Sequence, residues 1–106
     1  MPDPAKRPQM APHLTPRLAP GVRLQPDRVS GKPALLYPEG VLLLNPTGAA
    51  IVELCDGRRT FGEIVGALAL HFQAPAEVLS GDVAEYLGRL SDRGLLQPLV
   101  EQGAPP

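Results

Sequence analysis

Residues 35–45 of this 106-residue chain read LLYPEGVLLLN, two apolar stretches joined by a short turn. Pro38 suits the second position of a four-residue turn, because its ring presets φ. Gly40 can adopt the positive φ that closes such a turn into the next strand. The stretch therefore predicts a β-hairpin.

The second strand of this hairpin is apolar on both faces. Val41 and Leu43 point to one face, and Leu42 and Leu44 point to the other. A hairpin that lies on a core normally turns a polar face to water. We therefore expect the chain's own helices, a second subunit or a partner to cover the other side, and the pattern leaves open which face is which.

The composition describes a small domain with an uneven charge distribution. Apolar residues make up 43% of the chain, and the net charge is −1. Residues 1–33 carry +4 and residues 34–106 carry −5. A basic segment on an acidic body fits a protein or peptide partner better than DNA. Ordinary solvated surface charge is the alternative, and we favour it.

Cysteine usage and hydropathy indicate a cytoplasmic protein. Cys55 is the one cysteine, which excludes an internal disulfide and is typical of a reducing compartment. We expect it to be a small buried hydrophobe rather than a nucleophile. The sequence has neither the pattern of a signal peptide nor an apolar run of the roughly 20 residues that a membrane span needs.

Proline spacing divides the chain into three parts. Six prolines fall within the first 20 residues, which predicts a flexible arm over 1–16. The body is predicted over 17–98, and residues 99–106 form a polar, disordered tail. Within the body, Val22 to Gln25 alternate and predict a first strand ahead of the hairpin.

Capping signals mark the first two helices. Asn45 is a good N-cap with Pro46 at the first helical position, and Gly57 is expected to end that helix. Thr60 and Glu63 form a capping box that opens the second helix. The apolar face of the second helix is predicted to comprise Phe61, Ile64, Val65, Leu68 and Phe72.

A third helix is predicted to begin at Pro75 and to end at Gly94, with Leu95 packing back on Leu90. Its apolar side comprises Leu79, Val83, Tyr86, Leu87 and Leu90. The predicted fold is therefore α+β: a winged-helix-like domain in which a three-stranded antiparallel sheet is followed by three helices.

The sequence has none of the patterns that catalysis or metal binding requires. His13 and His71 lie far apart, and no cysteine or histidine pair has metal-ligand spacing. No catalytic residue, metal site or cofactor is predicted. A DNA-binding winged helix is an alternative, but the third helix carries four acids and two bases, so phosphates would repel it.

Short motifs from Arg17 to about Gln97 carry a family resemblance. They are Arg17-Leu18, Pro20-Gly21, Arg23-Leu24, Leu35-Leu36-Tyr37-Pro38-Glu39-Gly40, Leu44-Asn45, Thr47, Ile51, Asp56-Gly57, Thr60, Glu63-Ile64 and Gly94-Leu95-Leu96. Together they resemble the PqqD family of pyrroloquinoline quinone (PQQ) biosynthesis. Pro46 and Gly48 depart from the family's usual pattern.

The resemblance implies a non-catalytic peptide chaperone, a recognition element for ribosomally made, modified peptides. Such a protein binds the precursor peptide PqqA and presents it to PqqE, a radical SAM iron–sulfur enzyme. In related recognition elements the peptide adds as a strand beside the third strand, in a groove walled by the third helix. Carried over to this sequence, the implied peptide-binding residues are Val41, Leu42, Leu43, Leu44, Asn45, Val78, Asp82, Glu85, Tyr86 and Arg89.

The residues themselves favour the same mode of binding, because an apolar strand with an unpaired edge is a template for strand addition. Two other functions remain open at this point. One is a structural homodimerisation module that uses the same edge on a second copy. The other is the DNA-binding winged helix. No membrane partner is expected.

Overall fold

The structure, a computed structural model, describes residues 11–97 and confirms the predicted α+β architecture. Three antiparallel strands in the order β1-β2-β3 are followed by three helices. The elements are β1 (Arg23–Pro26), β2 (Pro33–Tyr37), β3 (Gly40–Leu43), α1 (Pro46–Glu53), α2 (Phe61–Phe72) and α3 (Ala76–Asp92).

The sheet has one face on the core and one face turned outward. Leu24, Leu35 and Leu42 are aligned across the three strands on the inner face. Leu35 is fully buried, and Leu24 and Leu42 pack against the core cluster. Because side chains alternate along a strand, Val41 and Leu43 lie on the outer face.

The turn between β2 and β3 differs from the prediction. No residue from Tyr37 to Gly40 has a positive φ, and Gly40 is the first residue of β3. The expectation that Gly40 closes the hairpin with a positive φ is therefore wrong. Pro38 and Glu39 make the turn with negative φ values, which Pro38 favours because its ring restricts φ to about −65°.

Side-chain caps set the starts of α1 and α2 as predicted. The Asn45 Oδ1 atom accepts a hydrogen bond from the Gly48 N–H at 2.6 Å. Thr60 and Glu63 form both bonds of the capping box, at 2.8 and 3.1 Å. The end of α1 was predicted too late, because the helix stops at Glu53 rather than continuing to Gly57.

Gly57 instead belongs to the turn between α1 and α2, where it has a φ of +79°. Its N–H donates to the Pro16 carbonyl at 2.9 Å. Asp56 Oδ1 accepts from the backbone N–H groups of Arg58 and Arg59, at 2.9 and 3.0 Å. These bonds lower the pKa of the Asp56 carboxyl, with the Arg59 N–H the largest contribution.

The end of α3 confirms the predicted glycine stop. Gly94 has a φ of +76°, and its N–H donates to the Ser91 carbonyl. The Leu95 N–H donates to the Leu90 carbonyl at 3.0 Å. This pair of bonds is a Schellman motif, and it brings Leu95 into the core beside Leu90.

The core is built mainly from aliphatic side chains of β2, of the three helices and of the segments that flank them. Phe72 is an exception to the predicted apolar face of α2, because it is 38% exposed at the end of the helix. The buried hydrophobic residues are Ala34, Leu35, Leu44, Ile51, Val52, Cys55, Phe61, Ile64, Val65, Leu68, Val83, Ala84, Leu87, Leu90, Leu95 and Leu96.

The described part of the predicted arm is attached to the body. The backbone N–H groups of Phe61 and Gly62 donate to the carbonyls of Leu14 and Pro12, at 2.7 and 3.0 Å. Pro16 is fully buried. Residues 1–10 of the arm, residue 98 of the predicted body and the predicted tail over 99–106 lie outside the described residues.

Cys55 is buried, as predicted, and its Sγ atom donates to the Ile51 carbonyl at 3.4 Å. Burial, with a smaller contribution from Asp56, raises the pKa of its thiol to about 12. A neutral, buried thiol is a poor nucleophile. Within residues 11–97, no helix is long and apolar enough to cross a membrane.

Candidate functional site: a groove between β3 and α3

An open groove of about 450 Å³ lies between β3 and the C-terminal half of α3. Four consecutive residues from Leu42 to Asn45 line one side. The other side is lined by Tyr86, Arg89, Leu90 and Arg93. Leucine side chains make its base apolar, and the two arginines make its helix-side rim basic.

The groove opens beside an unpaired strand edge. β3 is the last strand of the sheet, so one of its edges has no partner strand among residues 11–97. The Leu44 N–H donates to the Pro33 carbonyl at 2.9 Å, which directs that group toward β2. Because backbone groups alternate in an antiparallel pair, the N–H and C=O groups of Val41 and Leu43 point to the unpaired edge.

The outer face of β3 remains apolar and uncovered. Val41 and Leu43 are 51% and 52% exposed, whereas Leu44 is only 5% exposed. The sequence did not decide which face of β3 is buried. The structure shows that Leu42 and Leu44 face the core and that Val41 and Leu43 face outward. About half of each of the Val41 and Leu43 side chains is open to solvent.

Tyr86 is held in the wall of the groove by its packing over the first turn of α1. A Cβ atom added at Gly48 would lie 2.9 Å from Tyr86 Cζ and closer still to Tyr86 Oη. Gly48 therefore makes room for the tyrosine ring. Burial is the main cause of the raised pKa of the Tyr86 hydroxyl.

We expect Gly48→Ala to push the Tyr86 ring toward the groove and to destabilise the protein by about 1 kcal/mol, because overpacking outweighs the gain in helix propensity. The matched control is Gly66→Ala in α2, where an added Cβ meets nothing within 4 Å. That variant should be stabilised by about 0.5–1 kcal/mol. Urea denaturation measures both, and equal stability of the two variants would contradict this role for Gly48.

The charges at the rim differ from those of α3 as a whole. The Arg89 Nη1 atom lies 3.8 Å from Glu85 Oε1, and both side chains are more than half exposed. Arg93 has no carboxylate within ion-pair distance among residues 11–97. The groove lining on the helix side therefore contains two arginines and no carboxylate, although the exposed acids Glu85 and Asp92 lie on the same part of the helix.

The structure brings six of the ten predicted site residues to one groove: Leu42, Leu43, Leu44, Asn45, Tyr86 and Arg89. Val41 lies on the outer face of β3. Val78, Asp82 and Glu85 are exposed and do not line the groove. Leu90 and Arg93 line it but were not predicted, although both continue the helical spacing from Tyr86 and Arg89 by one turn.

Another, smaller pocket, of about 330 Å³, lies between α1 and α2. It is lined by Ala50, Glu53, Leu54, Ala67, Leu68 and His71. Within residues 11–97, no group of three or more His, Cys, Asp or Glu side chains could hold a metal ion. The β3–α3 groove is the better candidate, because it combines a cavity with unpaired backbone donors and acceptors.

Comparison with known proteins assigns the chain to a family. The profile described as Coenzyme PQQ synthesis protein D (PqqD) matches residues 34–96. A relative named PqqA binding protein, from Rhizobium meliloti, is 38% identical over 81 residues, which cover 76% of this chain and 83% of the relative.

Two solved structures share the fold. One is a solution NMR structure of the PqqD truncation of Methylobacterium extorquens PqqCD, described as a functional, stand-alone recognition element for ribosomally synthesized and post-translationally modified peptides. It is 30% identical, with a TM-score of 0.72, and the match covers 86% of this chain and 97% of that one. The other is the crystal structure of PqqD from Xanthomonas campestris, which is 34% identical with a TM-score of 0.53. That match covers 76% of this chain and 90% of the Xanthomonas chain.

An antiparallel sheet with an open edge, set beside a helix-walled groove, defines a small α+β domain of the winged-helix-like class. The sequence and structural matches define it further. The chain belongs to the PqqD family, as its motifs indicated.

Proposed function

We propose that this protein is a non-catalytic chaperone that binds the precursor peptide PqqA in PQQ biosynthesis. The observation that carries the proposal is the unpaired β3 edge beside the α3 groove, in a chain whose relatives are named PqqA binding proteins. An extended peptide gains main-chain hydrogen bonds at such an edge and places alternate side chains in the groove.

The proposed binding mode is strand addition to β3. The backbone groups of Val41 and Leu43 would pair with the peptide. Peptide side chains on the inner face would lie between Leu42 and Tyr86, and those on the outer face would lie beside Val41 and Leu43. This arrangement accounts for the apolar outer face of β3, since the inner face already packs on the core.

The proposal includes presentation of the bound peptide to the radical SAM enzyme PqqE, in the cytoplasm. Support comes from the membership of the chain in the PqqD family. Strand addition leaves the rest of a longer peptide outside the groove, where an enzyme can reach it. Comparing PqqE turnover of PqqA with and without this protein tests the step.

Titration of the ¹⁵N-labelled protein with synthetic PqqA, followed by NMR, tests the binding mode. We expect shift changes at residues 41–45 and at Tyr86, Arg89, Leu90 and Arg93. A peptide of the same composition in scrambled order is the control. Shift changes confined to the α1–α2 pocket would reject the groove, and no saturable binding would reject the function.

Homodimerisation through β3 is a second candidate, favoured by the same exposed Val41 and Leu43 side chains. Edge-to-edge pairing of two copies would use the backbone groups that we assign to the peptide. If the two compete, saturating PqqA should lower the dimer fraction in analytical ultracentrifugation. An unchanged dimer fraction would show that peptide and second copy do not share a surface.

The DNA-binding alternative is disfavoured by electrostatics. All four acids of the third helix, Glu77, Asp82, Glu85 and Asp92, are exposed. Their charge opposes the approach of a phosphate backbone. A gel shift that showed tight, salt-sensitive binding of duplex DNA would contradict peptide binding as the sole function.

A further inference from the structure

Two exposed arginines, Arg89 and Arg93, line the helix side of the groove, whose base consists of leucine side chains. Arg89 and Arg93 are four residues apart, so their side chains project from the same face of the helix end. Leu42, Leu44 and Leu90 lie below them in the groove lining. The site thus joins an apolar floor to a cationic rim.

Within residues 11–97 the two rim arginines make one long ion pair, and the exposed carboxylate of Asp92 lies nearby in sequence without pairing with either. Glu85 is the carboxylate nearest to Arg89, and an exposed pair at 3.8 Å contributes little. Arg93 has no such neighbour among residues 11–97. An incoming anion could therefore pair with Arg93, and with Arg89 in place of Glu85, without breaking a strong interaction.

We infer that the peptide segment bound in the groove carries an acidic side chain whose carboxylate pairs with Arg89 and Arg93. The inference rests on the proposed function and specifies the chemistry of its ligand. A guanidinium group favours a carboxylate because its N–H groups can form two parallel hydrogen bonds.

The strand geometry also constrains the bound sequence. Side chains two residues apart on a strand lie on the same face. A peptide strand with an apolar side chain on the floor would place the side chain two positions away on the same face, where we infer an aspartate or glutamate for the rim. The exposed acids elsewhere on α3 discriminate against a polyanion, so an isolated carboxylate fits better than a nucleic acid.

Fluorescence anisotropy with labelled synthetic PqqA tests this inference. The protein variant is the double substitution Arg89→Gln/Arg93→Gln. We expect its affinity for the peptide to be at least about tenfold lower, because a charge-assisted hydrogen bond is lost. Both side chains are exposed, so the fold should be retained by circular dichroism. The matched control is Arg58→Gln, an exposed arginine outside the groove that should leave the affinity unchanged.

The peptide is varied in parallel, by replacing each aspartate or glutamate singly with its amide. One replacement should weaken binding to the parent protein about tenfold and have little effect on the double variant, because the contact is already lost. Raising the salt concentration should reduce the difference in peptide affinity between the parent protein and the double variant, because salt screens exposed charges.

The outcomes separate this inference from the proposed function. If the parent protein binds PqqA and the double variant binds it equally well, the arginine–carboxylate contact is wrong while peptide binding stands. An equal loss in Arg58→Gln, or no amide replacement that couples to the arginines, would also overturn it. If the parent protein does not bind PqqA, the proposed function fails, and this inference fails with it.

Discussion

Leu43→Pro is expected to weaken PqqA binding by about 100-fold or more while the domain stays folded. The Leu43 N–H points to the unpaired edge of β3, so its loss removes a donor from the proposed peptide ladder but not from the β2–β3 pair. Proline is tolerated at such an edge position. Peptide titration and far-ultraviolet circular dichroism measure the two properties.

The matched control is Leu42→Pro, one residue earlier on the same strand. Its N–H points toward β2, and its side chain packs against the core, so this variant should lose stability rather than binding alone. If Leu43→Pro remains folded and binds PqqA as tightly as the parent protein, strand addition at β3 is wrong.

Leu87→Ala is expected to lower the free energy of unfolding by about 2–5 kcal/mol, because it leaves a cavity at a fully buried position of α3. Domains of this size have about 5–15 kcal/mol of total stability, so the loss is a large fraction. Urea denaturation monitored by circular dichroism measures it.

The matched control for Leu87→Ala is Leu70→Ala, the same substitution at a helical leucine that is 83% exposed. There the change should be within about 0.5 kcal/mol, because little apolar surface leaves water on folding. Equal losses for the two variants would contradict the packing of α3 on the core.

Local signals explain how much of the fold could be predicted. Asn45 as an N-cap, the Thr60–Glu63 capping box and the Gly94 stop each depend on bonds within a few residues, and all three are present in the structure. The end of α1 was predicted wrongly because the turn after it depends on a contact between residues that are distant in sequence. Gly57 has the expected positive φ, but its N–H is bonded to Pro16, which is far away in sequence.

Less of the candidate site than of the fold could be predicted from the sequence. The strand side could be predicted, because Val41 to Leu44 are apolar at every position. The helix side depends on how α3 crosses the sheet, and a helix pattern reports which side is apolar but not which turn meets a given strand. The resemblance implied Val78, Asp82 and Glu85, which do not line the groove, and it did not imply Leu90 and Arg93, which do.

By itself, the sequence determined the order of strands and helices, the apolar strand at the centre of the site and the family, because these follow from local periodicity, capping and contiguous motifs. Only the tertiary structure decided which face of β3 is buried, that Gly48 lies beneath Tyr86 and that Arg89 and Arg93 line the groove. Those properties arise from contacts between residues far apart in the chain, which no local pattern encodes.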